Sequence, residues 1–509
     1  MNRILIDGGP LTRADVIAVA RDGVSVASGP LLAERMAPAR EVVQLAVDSG
    51  DVVYGITTGF GALASTHIGR DQTETLQYNL IRSHAAGVGE PLPDVLVRAM
   101  LLLRARTLAQ GHSGVRPEIV ERLIEMLNSG MLPLVPSQGS VGASGDLAPF
   151  AHLALPLIGE GKVRWKGEVL PAAEALAKVG LEPLRLQTKE GLSLLNGTEG
   201  MTAMGILAHD HANRLLMAAD IACALTVEAV LGSARPFRPE VHALRPHPGQ
   251  GRSARRIAAL LEGSEIGASH ADDFHHAVQD AYSLRCAPQV HGAVADTLDH
   301  MERVLDIEMG SVVDNPIVFP DTAEVISAGN FHGQPLAFVL DFGAIAVTEL
   351  GSISERRTDR MLDPTRSAGL PAFLSPDPGV NSGYMISQYT QAALVAENRV
   401  FSHPASVESI PTSGMQEDHV SMGWGAGRKL FPVLDNTRRV LAVEMLCAAQ
   451  ALEYRKPLRP APGTAAVVAL IREHVPPLTE DRPLADEIET VAELIGSGEI
   501  ETVVAGHTG

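Results

Sequence analysis

Residues Met201–Leu231 read MTAMGILAHDHANRLLMAADIACALTVEAVL, and this stretch decides the class of fold. It predicts one long helix. From Leu215 onward the helix is so apolar that it needs packing partners on most of its faces. Asp220 and Glu228 interrupt the run before it reaches the roughly 18 uncharged residues of a membrane span. A buried helix in a large bundle therefore explains the stretch better than a membrane helix does.

Other segments repeat the helical pattern, and few segments resemble strands. Further helices are predicted at Val97–Gly111, Pro117–Gly130, Gln289–Glu308, Leu336–Arg356, Met385–Val400 and Asn436–Tyr454. Strands are predicted at Arg3–Ile6, Val163–Trp165, Ile317–Phe319 and Glu324–Ile326. We therefore predict a mainly α fold, a long multi-helix bundle with a smaller, loop-rich N-terminal α+β domain.

Domain boundaries are marked only by loops rich in glycine and proline. Residues 1–110 are predicted to form the N-terminal domain, 111–455 the central helical bundle, and 456–509 a helical C-terminal tail. Glycines and prolines concentrate in the loops 54–64, 136–149, 311–335, 363–384 and 404–427. A helical scaffold with so many special residues in its loops is expected to build a site there.

Composition excludes several classes of protein. The chain has 509 residues and a formal charge of −19, so no basic surface for a nucleic acid is expected. Its three cysteines, Cys223, Cys286 and Cys447, are too few and too scattered for a disulfide framework or a cysteine-based zinc site. The first residues lack the apolar core of a signal peptide. We expect a cytoplasmic protein that has no membrane partner.

The loop Ser137–Pro149, SQGSVGASGDLAP, is the most informative segment for chemistry. It lacks the spacing and the lysine of a phosphate-binding loop, and Asp146 stands where a nucleophile elbow needs its second glycine. A third interpretation uses the backbone. In Ala143–Ser144–Gly145 the unshielded glycine nitrogen can attack the alanine carbonyl carbon, and loss of two waters leaves an exocyclic methylene on an imidazolone. An isolated Ala–Ser–Gly would more often be an ordinary helix-entry loop.

The surrounding sequence resembles the histidine, phenylalanine and tyrosine ammonia-lyase family. The resemblance lies in GSVGASGDLAPFAHLALPLIGEG (139–161), YGITTGFGALA (54–64), SHAAGVGEPLP (83–93), EGLSLLNGTEG (190–200), QDAYSLRCAPQVHGA (279–293), DNPIVF and GNFHGQPLA (314–337) and MQEDHVSMGWGAGRKL (415–430). These blocks span nearly the whole chain. The resemblance implies the cofactor 4-methylidene-imidazol-5-one (MIO), formed from Ala143–Ser144–Gly145.

The same resemblance implies a role for each site residue. Tyr54 matches the catalytic base, and Tyr282 is a further catalytic residue. Arg285 would hold the substrate carboxylate through two parallel hydrogen bonds. The positions that contact the substrate or the cofactor are Asn196, Gln279 and Phe331. The MIO methylene would accept the substrate through either its amine or its ring, and Asp146 could cap the helix that follows the loop.

Two positions favour histidine as the substrate. Histidine lyases carry Ser–His where this chain has Ser83–His84, whereas phenylalanine lyases carry Phe–Leu and tyrosine lyases His–Leu. Glu417 matches the acidic residue that lies near the imidazole in histidine lyases. A phenyl ring would leave both polar groups without a partner. The implied reaction is deamination of L-histidine to trans-urocanate and ammonia; the alternative is an MIO-dependent tyrosine or phenylalanine lyase or an aminomutase.

Three residues depart from the family's usual pattern: Thr57, Glu199 and Met415 stand where Asn, Gln and Asn are common. The family implies a homotetramer whose active sites combine loops of three subunits. The pair His275–His276 is predicted not to bind metal, because adjacent histidines point to different faces and Asp272–Asp273 indicates a solvated loop.

Overall fold

The computed structural model describes residues 3–50, 52–59, 61, 68–69, 72–143, 145–271 and 278–507. Helices dominate it, which confirms the mainly α fold. They are α1 Arg13–Arg21, α2 Leu32–Ser49, α3 Thr73–His84, α4 Asp94–Leu108, α5 Pro117–Ser129, α6 Leu147–Ala154, α7 Ala172–Val179, α8 Glu190–Leu195, α9 Glu199–Ala229, α10 Pro239–Ala243, α11 Pro248–Leu261, α12 Glu265–Ala268, α13 Tyr282–Arg285, α14 Ala287–Gly310, α15 Gln334–Leu362, α16 Met385–Phe401, α17 Gly423–Glu453, α18 Pro462–His474, α19 Ala485–Ser497 and α20 Glu499–Val504.

The strands are short and form small sheets. They are β1 Ile4–Ile6, β2 Val26–Ser28, β3 Val88–Pro91, β4 Leu132–Pro133, β5 Pro136–Gln138, β6 Lys162–Trp165, β7 Glu168–Pro171, β8 Ile317–Phe319 and β9 Glu324–Ile326. β1 and β2 are parallel, β4, β6 and β7 form an antiparallel sheet, and β8 pairs with β9. The antiparallel pair β3–β5 matters most for function, because it places the segment after α3 beside the start of the loop 139–146.

Most predicted elements are confirmed with small shifts at their ends, and α17 is the main exception. It begins at Gly423, well before the predicted start at Asn436. Glycines hide its helical pattern, and packing explains them. A Cβ added to Gly423 would lie 2.6 Å from Sδ of Met201, and one on Gly427 would lie 2.6 Å from Sδ of Met204. The first turns of α17 therefore need glycine to approach the start of α9.

Contacts divide the chain into two compact units. The first unit comprises residues 1–207, 302–340 and 404–428, and the second comprises 208–301, 341–403 and 429–509. The cuts at 207, 301, 340 and 428 fall inside long helices. The division into 1–110, 111–455 and 456–509 follows the order of the chain instead, and it stays a prediction.

One helix among the described residues, α15, is long and apolar enough to cross a membrane by length and composition. In its most apolar window, 67% of the residues are buried inside the structure, as in the core helix of a globular protein. The predicted buried character of α9 is confirmed: Met204, Leu215, Ile221 and Leu225 have no exposed surface.

Candidate active site

The loop that precedes α6 makes a turn that only glycine allows at its end. Gly145 has a φ of +75°, in the left-handed region, and it forms a bridge with Gly197. A Cβ on Gly145 would lie 1.9 Å from the carbonyl oxygen of Gly197. The next residue, Asp146, donates its backbone N–H to the same oxygen over 2.8 Å. The end of the loop is thus held against the peptide of Gly197.

The segment around Ser421 holds the other end of this loop. Met422 donates its N–H to the Val141 carbonyl over 2.8 Å, and the Ser421 hydroxyl donates to the Gly142 carbonyl over 3.2 Å. The indole N–H of Trp424 donates to the Ser137 carbonyl over 2.8 Å. The loop is therefore anchored on both sides of the predicted cofactor-forming residues.

The predicted cofactor-forming residues fit a backbone cyclisation. Ala143 is buried, and Gly145 has no side chain to shield its nitrogen. Its left-handed conformation and the close approach of Gly197 leave no room for one. Ser144 lies outside the described residues. Ala143 and Gly145 thus have the residue types that an MIO group requires, and Gly145 has a backbone conformation that glycine favours.

Asn196 presents an unused acceptor next to this loop. It follows α8, is 2% exposed, and donates from Nδ2 to the carbonyl of Asn315 over 2.9 Å. Its Oδ1 is buried and has no hydrogen-bond partner among the described residues. A buried carbonyl oxygen without a partner is costly, so Oδ1 is suited to accept a hydrogen bond from a ligand.

Asp146 does not cap the helix that follows it, contrary to the sequence-based expectation. It occupies the N-cap position of α6 without a side-chain capping bond. Its Oδ2 instead accepts from the backbone N–H of Met201, in the first turn of α9, over 2.9 Å. Burial and, to a smaller extent, the negative charge of Glu199 raise the pKa of Asp146 to about 8, although its hydrogen bonds oppose the shift. Tertiary packing thus makes the Asp146 carboxyl a partner of α9 rather than a cap of α6.

The raised pKa gives the stability of the protein a defined pH dependence. The ordinary pKa is 3.8, so folded Asp146 binds its proton more tightly than the unfolded chain does. Its stabilising contribution is complete below that value, decreases as pH rises, and is lost around pH 8. Asp146→Asn stays neutral, so we expect its thermal midpoint to improve relative to wild type from about pH 5 to pH 8. For each pH unit in this range, the free energy of unfolding of the variant should rise relative to wild type by at most about 1.4 kcal/mol. Parallel midpoint curves for the two proteins would contradict the raised pKa.

His84 lies at the end of α3 and is half-buried. Its Nδ1 lies 2.9 Å from the Leu80 carbonyl, which only accepts, so the proton is assigned to Nδ1 and Nε2 is left as an acceptor. Burial lowers the pKa of His84, and the negative charge of Glu417 opposes that shift. The charge of Glu417 therefore acts on the His84 imidazole across more than 300 residues of sequence. Glu417 is held in a turn by Thr412, whose hydroxyl donates to Oε2 over 2.7 Å.

Tyr54 lies in a segment that is fixed by its neighbours. Ile56 has no exposed surface and packs against Val43 of α2 and Val318 of β8. A Cβ on Gly55 would lie 2.9 Å from the side chain of Leu192 in α8. The backbone N–H of Gly61 donates to the Tyr54 hydroxyl over 3.4 Å. This packing places the Tyr54 segment beside the helix that ends at Asn196.

Phe331 is half-buried and lies in the loop before α15. The neighbouring His332 stacks on His419 with the ring centroids 5.9 Å apart. A Cβ on Gly333 would lie 2.3 Å from Cε of Met201, the residue whose N–H binds Asp146. Phe331 therefore belongs to the part of the first unit that surrounds the start of α9.

The remaining predicted residues, Gln279, Tyr282 and Arg285, lie in the second unit. Gln279 and Arg285 line a cavity of about 860 Å³. The guanidinium of Arg285 lies 4.7 Å from the centre of the Tyr282 ring, and its buried Nε has no hydrogen-bond partner among the described residues. Arg285 also forms no ion pair with any described residue, and this favours a ligand-binding role. The other predicted site residues that the structure describes belong to the first unit: Tyr54, His84, Ala143, Gly145, Asn196, Phe331 and Glu417.

Sequence reasoning did not single out two buried ionic groups in the first unit. Arg104 pairs with Glu199 over 2.5 Å, and Lys189 pairs with Asp314 over 2.9 Å. Burial lowers the pKa of Lys189. The sequence did offer one sign of the Arg104 pair: a charged residue inside the apolar run of α4 needs a buried partner. Only the fold shows which partner that is.

Among the described residues, no group of three or more His, Cys, Asp or Glu side chains could hold a metal ion. The pair His275–His276 lies outside the described residues, so its predicted lack of a metal role stays a prediction.

The sequence and the fold of this chain are similar to those of known proteins. The sequence profile of the aromatic amino acid lyases matches residues 11–473. A histidine ammonia-lyase of Gloeobacter violaceus is 53% identical over 506 residues, covering 99% of this chain and 98% of that protein. The chain belongs to the aromatic amino acid lyase family.

Solved structures of the same fold include more than one activity. A histidine ammonia-lyase of Trypanosoma cruzi has a TM-score of 0.92 at 42% identity, covering 100% of this chain and 96% of that one. A tyrosine aminomutase of Streptomyces globisporus has a TM-score of 0.94 at 41% identity, with 100% and 99% covered. The choice of substrate must therefore come from the site rather than the fold.

Proposed function

We propose that this chain is a carbon–nitrogen lyase that deaminates L-histidine without oxidation to trans-urocanate and ammonia, in histidine degradation. The observation that carries the choice of histidine is that the contact of His84 with the Leu80 carbonyl leaves Nε2 as an acceptor, while the negative charge of Glu417 acts on the same ring. An imidazole N–H can donate to such acceptors, whereas a phenyl ring has no N–H or O–H to offer. The 53% identity to a histidine ammonia-lyase supports the same choice.

The cofactor in this proposal is MIO, formed from Ala143–Ser144–Gly145. This group supplies an electrophile that activates the substrate for loss of its amine. The carbonyl of Gly197 holds the end of the loop through Asp146, and the buried Oδ1 of Asn196 accepts a hydrogen bond from the substrate amine.

The remaining side chains have complementary tasks in the proposed reaction. Arg285 binds the substrate carboxylate, and Tyr54 takes the β-proton, with Tyr282 and Gln279 beside the reacting atoms. Phe331 packs beside the cofactor. His84 and Glu417 bind the imidazole ring and so orient the substrate in the site.

The proposal includes a cytoplasmic homotetramer with shared active sites. Exposed apolar residues on two helices of the second unit support a larger assembly: Phe342 and Ile345 on α15, and Ile386 and Tyr389 on α16. Apolar side chains exposed together are typical of surfaces that another subunit covers. The mass of the purified protein in solution tests this part directly.

A substrate panel tests the function. We expect ammonia release from L-histidine to exceed release from L-tyrosine and L-phenylalanine by at least about a hundredfold in kcat/KM, which corresponds to two lost polar contacts. Intact mass should be two waters below the sequence value. Equal or faster turnover of tyrosine would instead support a tyrosine lyase or aminomutase, because a phenol O–H can also donate to His84 Nε2.

The pair Ser83–His84 should govern the choice of ring. The double variant Ser83→Phe/His84→Leu is expected to lower kcat/KM for histidine by at least about tenfold, because one buried polar contact contributes roughly 1–3 kcal/mol. Steady-state kinetics on histidine and phenylalanine measure it, with Arg82→Lys on the exposed side of α3 as control. Unchanged histidine kinetics in the double variant would remove the selectivity argument.

A further inference from the structure

Arg104 lies directly behind the segment 196–199. It belongs to α4 and has no exposed surface. Its Nη1 donates to the Ser193 carbonyl over 3.1 Å and to the Asn196 carbonyl over 2.9 Å. Its Nη2 donates to Oε2 of Glu199 over 2.5 Å. One guanidinium thus connects the end of α8 with the beginning of α9.

The two carbonyls that Arg104 binds are those that a helix leaves unpaired. The last carbonyls of a helix lack partners within it, and a cation there also interacts favourably with the helix dipole. Because Asn196 is the C-cap residue of α8, the guanidinium fixes the backbone from which the amide side chain of Asn196 extends. The unpartnered Oδ1 of that amide then has a defined direction.

Arg104 also supports the cofactor-forming loop. A Cβ on Gly197 would lie 2.4 Å from Nη2 of Arg104, so the guanidinium lies against that peptide. The carbonyl of the same peptide accepts the N–H of Asp146. The guanidinium carbon lies 4.5 Å from the centre of the Phe150 ring, in the helix that follows the loop. Arg104 therefore contacts both segments that build the candidate site.

Stability alone is a weak reason for such a pair. Burying a charged pair carries a desolvation cost that often equals its attraction, and apolar side chains of similar size can be as stable. A buried guanidinium that makes three directed hydrogen bonds instead defines the geometry of what it binds. Glu199 supplies the negative partner of Arg104.

We propose that Arg104, paired with Glu199, is a positioning residue of the active site. It holds 196–199 so that Asn196 directs its Oδ1 to the substrate amine and Gly197 holds the cofactor-forming loop. The proposal deepens the proposed function and rests on it. An assay of the wild-type protein distinguishes failure of the function from failure of the positioning role. If wild type forms no urocanate from histidine, the proposed function is wrong, whatever the variants do.

Arg104→Lys is the first test. Lysine keeps the charge but cannot bind both carbonyls and Glu199 in one plane, so we expect kcat for histidine to fall by at least about tenfold. The matched control is Arg116→Lys at the other end of α8, where Arg116 pairs with Glu190 over 2.8 Å. The control is expected to lose comparable thermal stability and to retain its kcat.

A double-mutant cycle distinguishes positioning from a general structural role. In an Asn196→Ala background, Arg104→Lys should lower kcat by a clearly smaller factor than in the wild-type background, because the part of its effect that acts through the Asn196 side chain is already gone and only its support of Gly197 remains. Arg116→Lys should have the same small effect in both backgrounds. Equal losses from Arg104→Lys with and without Asn196, or an unchanged kcat in Arg104→Lys, would overturn the proposal.

Glu199 gives a second route if Arg104→Lys does not fold. Glu199→Gln keeps an acceptor oxygen for Arg104, and Glu199→Leu removes it. We expect kcat to be lower in Glu199→Leu than in Glu199→Gln by about fivefold or more, with thermal midpoints reported for both. Equal kcat values in the two folded variants would overturn the positioning role.

Discussion

Ser144→Ala is expected to leave a folded protein whose kcat for histidine falls by at least about a thousandfold, equivalent to roughly 4 kcal/mol of transition-state stabilisation. Only a hydroxyl at position 144 can be eliminated to form the methylene. The two waters missing from the wild-type mass should therefore not both be missing from the variant. Intact mass and single-turnover kinetics on the same preparation measure both expectations.

Ser137→Ala is the matched control for Ser144→Ala. Ser137 begins the same loop, and its contact with Trp424 uses the backbone carbonyl, which alanine retains. This variant should keep the two-water mass deficit and near wild-type turnover. If Ser144→Ala turned over normally, or if the wild-type mass equalled the sequence value, the cofactor assignment would be wrong.

Arg285→Lys is expected to lower kcat/KM by roughly one to three orders of magnitude, about 1.4–4 kcal/mol, with little change in thermal midpoint. Lysine keeps the charge but loses the planar pair of donors that matches a carboxylate. The loss should appear in kcat as well as KM, because an anchored carboxylate places the β-proton within reach of Tyr54.

The competing role of Arg285 is structural, and it predicts the reverse pattern. In that case the thermal midpoint would fall and the folded enzyme would turn over normally. The unpartnered Nε beside the cavity favours the ligand-binding role. Arg238→Lys is a suitable control, because Arg238 is exposed and pairs with Glu240 on the surface.

Local patterns in the sequence were enough for most of the secondary structure. The period of Met201–Leu231 predicted α9 to within two residues, and the hairpin strands Ile317–Phe319 and Glu324–Ile326 were predicted with their observed bounds. Where glycines interrupt the period, as in the first turns of α17, prediction from pattern failed. Those glycines serve contacts with α9 that a local window does not contain.

The candidate site shows the same division between local and distant information. The tripeptide Ala143–Ser144–Gly145, the pair Ser83–His84 and the other matched positions could be named from the sequence, because their chemistry depends on residue type. The partner of Asp146 could not be named in this way. A local capping rule predicted that its carboxyl caps α6, whereas the carboxyl accepts from the backbone N–H of Met201, 55 positions away.

By itself the sequence determined the helical class, most element positions and the residue types available for chemistry, because these depend on neighbours a few positions apart. Only the tertiary structure decided that Arg104 lies against Gly197, that Oδ1 of Asn196 has no partner among the described residues, and that the charge of Glu417 acts on His84. Such contacts join segments separated by tens to hundreds of residues, and helix packing selects them. A buried charge must find its partner wherever the packed core provides one.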